Sequence, residues 1–259
     1  MKVHKYVKPS SLDEAYSLLQ QSPKNKIVAG GLWLKKGNAE VDTLIDLSAL
    51  NLNKIEDKKD FIEIGSLVTQ REIETSKIIS QIGNGVINEA FKQIMGPAFR
   101  NLATIGGSIY GKYGFSDVIT VLLGFKVDLV FFPENVVSLD EYISTPGFGK
   151  GILTHIRIYK STAKSYFKKV AITALDYPIL NVCVTKDKDY RIAVGSRPLV
   201  ANLASKAMNY LNEGNQDFAE AAKLALAELK VGDSIATKSA YREQLLLTYV
   251  VRGLEEVSK

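Results

Sequence analysis

Two glycine pairs are the residues whose type and spacing point most directly to chemistry: Gly30-Gly31 and Gly106-Gly107, each entered from an apolar segment. Glycine adopts positive φ at little cost and lets a ligand approach where a Cβ would collide. Successive amides in such a turn form a concave, donor-lined anion site of the kind a pyrophosphate needs. A Gly-Gly pair also makes ordinary turns, so the pairs are candidates until their surroundings are weighed. The other reactive side chains offer less. His4 and His155 lie far apart, each in a strand-like segment with no partner that would make it a general base, and both read as structural. Cys183 stands alone in Ile179-Leu-Asn-Val-Cys-Val, which rules out an internal disulfide and a resident iron–sulfur cluster. There is no P-loop lysine motif, no G-x-G-x-x-G after a strand, no H-E-x-x-H and no cysteine pair, so neither a Rossmann dehydrogenase nor a metal site is expected. No catalytic side chain is nominated.

Whole-chain properties narrow the classes further. Lysine and arginine number 33 against 28 acidic residues, a net +5, but the basic residues are spread without a block or aromatic interleaving. Solvated faces account for that charge, and no nucleic-acid partner is expected. No apolar run approaches the ~18 residues of a membrane span. The N-terminal stretch Met1-Lys-Val-His-Lys-Tyr-Val has neither an export segment nor a small-residue cleavage site, and the expectation is a cytoplasmic protein.

The elements that must position the glycine pairs follow from local signals. Ser11-Leu-Asp-Glu14 has capping-box form, and Leu12, Ala15, Tyr16 and Leu19 share one face, predicting a helix over 11–21. Pro23 breaks it, and Lys26-Ile-Val-Ala29 reads as a short strand running into Gly30-Gly31. Strands are expected at Thr43–Leu47 and Phe61–Ile64, a second capping box at Thr69-Gln-Arg-Glu72 opens a helix, and another helix is expected over 84–95. Gly96 to Ser108 reads as a shaped loop, Val127–Phe132 as a strand, then a loop around Pro146 and Gly147 and a strand from Ile152. Beyond a boundary near 160, strands are expected over 166–173, 178–185 and 190–195, followed by helices over 202–212, 217–229 and 238–254.

The residues around the glycine pairs add a family resemblance. Ala29-Gly-Gly, Leu44-Ile-Asp-Leu-Ser48, Ile64-Gly-Ser-Leu-Val-Thr69, Arg100-Asn-Leu-Ala-Thr-Ile-Gly-Gly107 and Ser116-Asp117 together resemble the flavoprotein subunit of the molybdenum hydroxylases, the family of xanthine dehydrogenase and aerobic carbon monoxide dehydrogenase. Asp176-Tyr, Asp233 and Ser239-Ala-Tyr-Arg242 extend the resemblance over nearly the whole chain, with Arg-Asn…Thr-Ile-Gly-Gly its most specific element. It implies an α+β fold: a PCMH-type FAD-binding domain over 1–160, made of two α/β subdomains (about 1–55 and 56–160), then a C-terminal domain over 161–259 with a three-stranded antiparallel sheet and helices. It implies FAD held through backbone amides by Ala29, Gly30, Gly31, Leu32, Trp33 and Leu34 and by Thr104, Ile105, Gly106, Gly107 and Ser108. Asp117 matches an acidic residue near the nucleotide portion, or else caps the following helix; Ile152 and Leu153 match an aliphatic wall against the isoalloxazine, or are core; Lys168 matches a basic residue near the ring.

Departures from the family pattern are equally specific. Leu32 and Trp33 stand where Thr-Asp is usual, Ser108 where asparagine is, Tyr113-Gly114 where Ser-Pro is common, and Ile172 where arginine is frequent. The resemblance implies partners too: a large subunit with the molybdenum cofactor and a small one with 2Fe-2S clusters, whose electrons would reach NAD or another acceptor through FAD. A stand-alone flavin oxidase and a flavin-free scaffold of the same fold remain the alternatives.

Overall fold

Three sheets organise the chain, and the computed structural model describes residues 1–146 and 151–259. Gly147, expected in a loop with Pro146, lies outside the described residues. The first sheet is parallel, in the order β1 (Lys2–Val7), β3 (Glu40–Asp46), β2 (Lys26–Val28). Between β1 and β2 runs α1 (Leu12–Gln21), capped by the Ser11 hydroxyl, which accepts from the Glu14 amide. Its apolar face buries Ala15 and Leu19 against Ile45 and Leu47. Strand β2 stops at Val28, so the first glycine pair is the strand's direct continuation.

The second sheet is antiparallel, ordered β4 (Ile55–Asp57), β5 (Phe61–Gly65), β8 (Ile152–Tyr159), β6 (Val127–Phe132), β7 (Asn135–Ser138). It carries α2 (Gln70–Thr75), α3 (Val86–Lys92), α4 (Pro97–Arg100), α5 (Ile105–Tyr110), α6 (Asp117–Leu123) and α7 (Leu139–Ser144). Both bonds of the Thr69–Glu72 capping box are made. The helix expected from 84 starts two residues later, because Asn84 and Gly85 take left-handed φ values of 54° and 78°.

The segment expected as a loop is corrected: 97–110 holds two short helices. Pro97 presets the first turn of α4, and the Thr104 hydroxyl caps α5, placing Gly106 and Gly107 inside its first turn. Two glycines in a helix cost propensity, and packing overrides it here.

The third sheet is antiparallel, ordered β12 (Asn202–Leu203), β11 (Tyr190–Gly195), β10 (Leu180–Lys186), β9 (Lys164–Val170): the three expected strands with a two-residue fourth at the edge. Helices α8 (Ser205–Asn212), α9 (Phe218–Glu228) and α10 (Ser239–Ser258) pack on it around Leu180, Val182, Val184, Leu246, Val250 and Leu254. Buried Arg242 donates to the Ile179 and Gly232 carbonyls and the Ser234 hydroxyl, while Asp233 accepts from the Ser239 amide, which explains that stretch of the motif as a clasp between α10 and the start of β10.

The expected boundary near 160 falls between β8 and β9, yet the core of the second sheet runs across it to Cys183, Ala193 and Ala201. Helix α6, buried along its whole length, sits between the two sheets. Among the described residues no helix is long and apolar enough to cross a membrane.

Candidate functional site

The β2 end, the α5 N-terminus and the start of β8 meet around a cleft of 530 Å³, a size usual for small-molecule sites. Ala29 to Leu34 line one wall, Thr104, Gly106, Gly107 and Ser108 the other, and Ile152 and Leu153 contribute to the lining while also belonging to the buried cores. Ile105 is not among the lining residues, and its side chain is fully buried in the core.

The two glycine walls are docked directly on each other. A Cβ on Gly30 would stand 1.8 Å from the Leu102 carbonyl oxygen, just ahead of the second loop. A Cβ on Gly106 would meet Ser66 at 2.5 Å. Of the four glycines in the two pairs, Gly31 alone has a positive φ, 66°, which turns the chain out of β2. The amides divide sharply. Those of Ile105 and Gly106 donate to the Val68 and Ser66 carbonyls, that of Gly107 to the Thr104 hydroxyl and that of Ser108 to the Thr104 carbonyl. The amides of Gly30, Gly31 and Leu32 donate to no acceptor among the described residues. The buried Ser66 hydroxyl, on the cleft lining, is likewise without a partner. A cleft with three consecutive open amides and a left-handed glycine fits a ligand that carries a diphosphate.

Trp33 lines the cleft as part of an aromatic cluster rather than as a polar group. Its ring packs against Tyr113, Phe115 and Tyr177 at centroid distances of 5.4, 5.1 and 5.8 Å, with the Lys36 ammonium 4.3 Å from its face. Behind this cluster lies a niche of 50 Å³ lined by Gln70, Ser108, Asp117 and Lys169. Asp117 sits there rather than in the main cleft, in the first turn of α6, whose cap is Ser116. Its Oδ1 accepts from Asn181 Nδ2 at 2.7 Å and its Oδ2 lies 3.9 Å from Lys169 Nζ. Burial pushes its carboxyl up to about 6, against the pull of Lys169 and Asn181.

Lys168, expected near the ring, lines neither the cleft nor the niche. Pairing of Lys169 with Asn181 and of Lys168 with Val182 fixes the alternation of β9, so Lys168 turns to the helical face over Tyr249, 5.7 Å from its ring centroid. Its neighbour Lys169 is the cation that enters the niche, with Nζ also donating to the Gln93 carbonyl at 2.8 Å.

Sequence reasoning did not single out Ser66, Gln70, Asn181 or Lys169. Ser66 lies within the Ile64-Gly-Ser stretch of the family pattern and Gln70 inside the capping box, so a signal existed for both. For Asn181 none did, since its partners Asp117 and Thr120 come from 61 or more residues away.

Comparison with known proteins places this geometry in context. The family model described as the FAD binding domain in molybdopterin dehydrogenase matches residues 1–158. The nicotine 6-hydroxylase medium subunit of Paenarthrobacter nicotinovorans is 26% identical over 97% of this chain and 96% of its own. The glyceraldehyde dehydrogenase medium chain of Sulfolobus acidocaldarius is 24% identical over 98% of each. Among solved structures, carbon monoxide dehydrogenase from Hydrogenophaga pseudoflava shares the fold with a TM-score of 0.88 at 22% identity, covering 98% of this chain and 96% of that one.

Proposed function

The chain belongs to the family of FAD-binding domains of molybdopterin dehydrogenases, and from that premise we propose that it is the FAD-binding subunit of a molybdenum hydroxylase complex, carrying electrons from 2Fe-2S clusters on a small partner toward NAD or another acceptor. A large partner would hold the molybdenum cofactor and the substrate to be hydroxylated, as the medium-chain names of its relatives suggest. When bound, FAD supplies the redox chemistry, exchanging electrons singly or in pairs, and the protein supplies position and access.

The observation that carries this reading is the row of open amides. Gly30, Gly31 and Leu32 line the cleft and their three N–H groups have no acceptor among the described residues, enough to hold a diphosphate whatever side chains stand at 32 and 33. Ser66 Oγ adds a buried hydroxyl with an unmet bond. Ile152 and Leu153 give the cleft an apolar wall that excludes water. The Ile105 and Gly106 amides, bonded to the Val68 and Ser66 carbonyls, hold the second wall in place and fix the width of the cleft. Asp117 holds Lys169 and Asn181, and so ties α6 to β9 and β10.

Titration of the purified chain with FAD tests the proposal. A bound oxidised flavin should show absorbance near ~450 nm, and saturation at ~100 times the dissociation constant should stabilise the fold by about 2.7 kcal/mol. A second reading, a flavin-free scaffold of this fold, is favoured by Trp33, whose ring stands where the family keeps a polar pair. The same titration separates the two: no spectral change and no thermal shift would leave the scaffold. Co-purification with a cysteine-rich small chain and a large chain tests the subunit assignment.

A further inference from the structure

Trp33, Phe99, Ser108 and Tyr113 line both the 530 Å³ cleft and the 50 Å³ niche, and so form the wall between them. Ser108 and Phe99 are carried on or beside short helices with internal hydrogen bonds, and the Ser108 hydroxyl is held by Thr104 and Gln70. Trp33 is held differently. It sits in the connection between β2 and β3, only partly buried, its ring fixed by aromatic packing, and its indole N–H donates no hydrogen bond among the described residues. Aromatic pairs of this kind contribute about 0.5–1.5 kcal/mol each, so a ligand of ordinary affinity can displace the ring. Tyr177, its partner from the β9–β10 connection, is 42% exposed and offers little resistance.

The niche behind the wall is built for a hydroxyl-bearing group. Gln70 is 3% exposed, donates its amide N–H to Ser108 Oγ at 2.9 Å, and leaves its Oε1 without a donor. Buried acceptors of this sort are nearly always paired, and an unpaired one marks a place where a partner belongs. Asp117 and Lys169 complete the polar lining.

We propose that Trp33 sets the nucleotide specificity of the cleft. With the ring in the wall, the cleft takes an adenosine diphosphate moiety on the amides of Gly30 to Leu32. The flavin half enters only when Trp33 leaves and joins the niche to the cleft, where a ribityl hydroxyl donates to Gln70 Oε1. The inference rests on the FAD reading above. It follows that displacing the indole opposes FAD binding but not ADP binding.

Calorimetric titration of the full chain, Trp33→Thr and Tyr177→Ala with ADP and with FAD tests this. The expectation is that Trp33→Thr binds FAD about tenfold more tightly while ADP affinity stays within about twofold, and that Tyr177→Ala, which keeps the ring but loosens its packing, gains about threefold for FAD alone. Because Trp33 is the only tryptophan, its emission reads the wall directly: it should move to longer wavelength on adding FAD and stay in place on adding ADP. An FAD-to-ADP affinity ratio equal in all three proteins, or an emission maximum that FAD leaves unmoved, overturns the proposal. If Trp33→Thr does not fold, the Tyr177→Ala ratio and the emission shift decide. Failure of both nucleotides to bind any of the three proteins overturns instead the FAD reading itself, and this inference with it.

Discussion

Around Gly30-Gly31 three consecutive backbone N–H groups have no acceptor among the described residues, whereas around Gly106-Gly107 every N–H from Ile105 to Ser108 already has one. The second loop matches the family pattern best, and the first departs from it at Leu32 and Trp33. Sequence conformity and ligand-facing donors therefore sit on different walls. The second loop keeps its residues because of packing: Gly106 presses on Ser66, and Thr104 caps α5. The first loop can lose its side-chain pattern and keep its donors, since amides belong to every residue but proline. A motif can thus report architecture more faithfully than it reports ligand contact.

The strongest way to break the comparison is to separate the two walls. A methyl on Gly30 would overlap the Leu102 carbonyl, a backbone group that cannot swing aside. Gly30→Ala should lower thermal stability by about 3 kcal/mol, the upper range for overpacking, and FAD affinity by about a hundredfold. Unchanged melting and unchanged calorimetric affinity would show that the walls are not docked through this contact.

Charge sharpens the contrast, because the buried acid lies on the side of the second loop while Lys35 and Lys36 are exposed beside the first. Asp117 has a folded-state value of about 6 against an ordinary 3.8, so the folded protein binds its proton more tightly than the unfolded chain does. Stability contributed by that proton is present below pH ~4 and is lost as pH rises through ~6, on the order of 3 kcal/mol in all. Asp117→Asn should flatten the curve of unfolding free energy between those limits, measured by urea titration at each pH. ADP affinity should not change, since the acid takes no part in the first wall; a marked change would place the anion nearer the second.

Much of the frame was legible in the sequence because its signals are local. Ser11, Thr69 and the Pro23 break mark helix ends within a turn, and the central strand of the last sheet, β10, announces itself by an apolar run. The helical state of 97–110 was not legible, since two adjacent glycines argue against helix until Ser66 is known to lie against Gly106. Lys168 and Lys169 are adjacent cations, and only pairing with β10 decides which one faces Asp117. Trp33 could be seen as a departure but not as a wall, because Tyr113, Phe115 and Tyr177 reach it from two other segments.

Two smaller substitutions sharpen the comparison without dismantling the cleft. At Gly31 a methyl meets nothing nearer than Val28 Cγ2 at 3.5 Å, so Gly31→Ala tests backbone strain alone. Holding alanine at a φ of 66° should cost about 1–2 kcal/mol, seen as a lower melting temperature, with ADP affinity reduced as the turn relaxes and its amides diverge. At Gly107 the nearest atom is the Thr104 hydroxyl at 3.0 Å, and the backbone is helical, so alanine gains helix propensity about as large as the crowding it adds. Gly107→Ala should therefore leave stability within about 0.5 kcal/mol and ADP affinity unchanged. If instead Gly107→Ala weakens ADP while Gly31→Ala does not, the diphosphate sits on the second wall, and the amide of Gly107 must exchange its bond to Thr104 for one to the ligand.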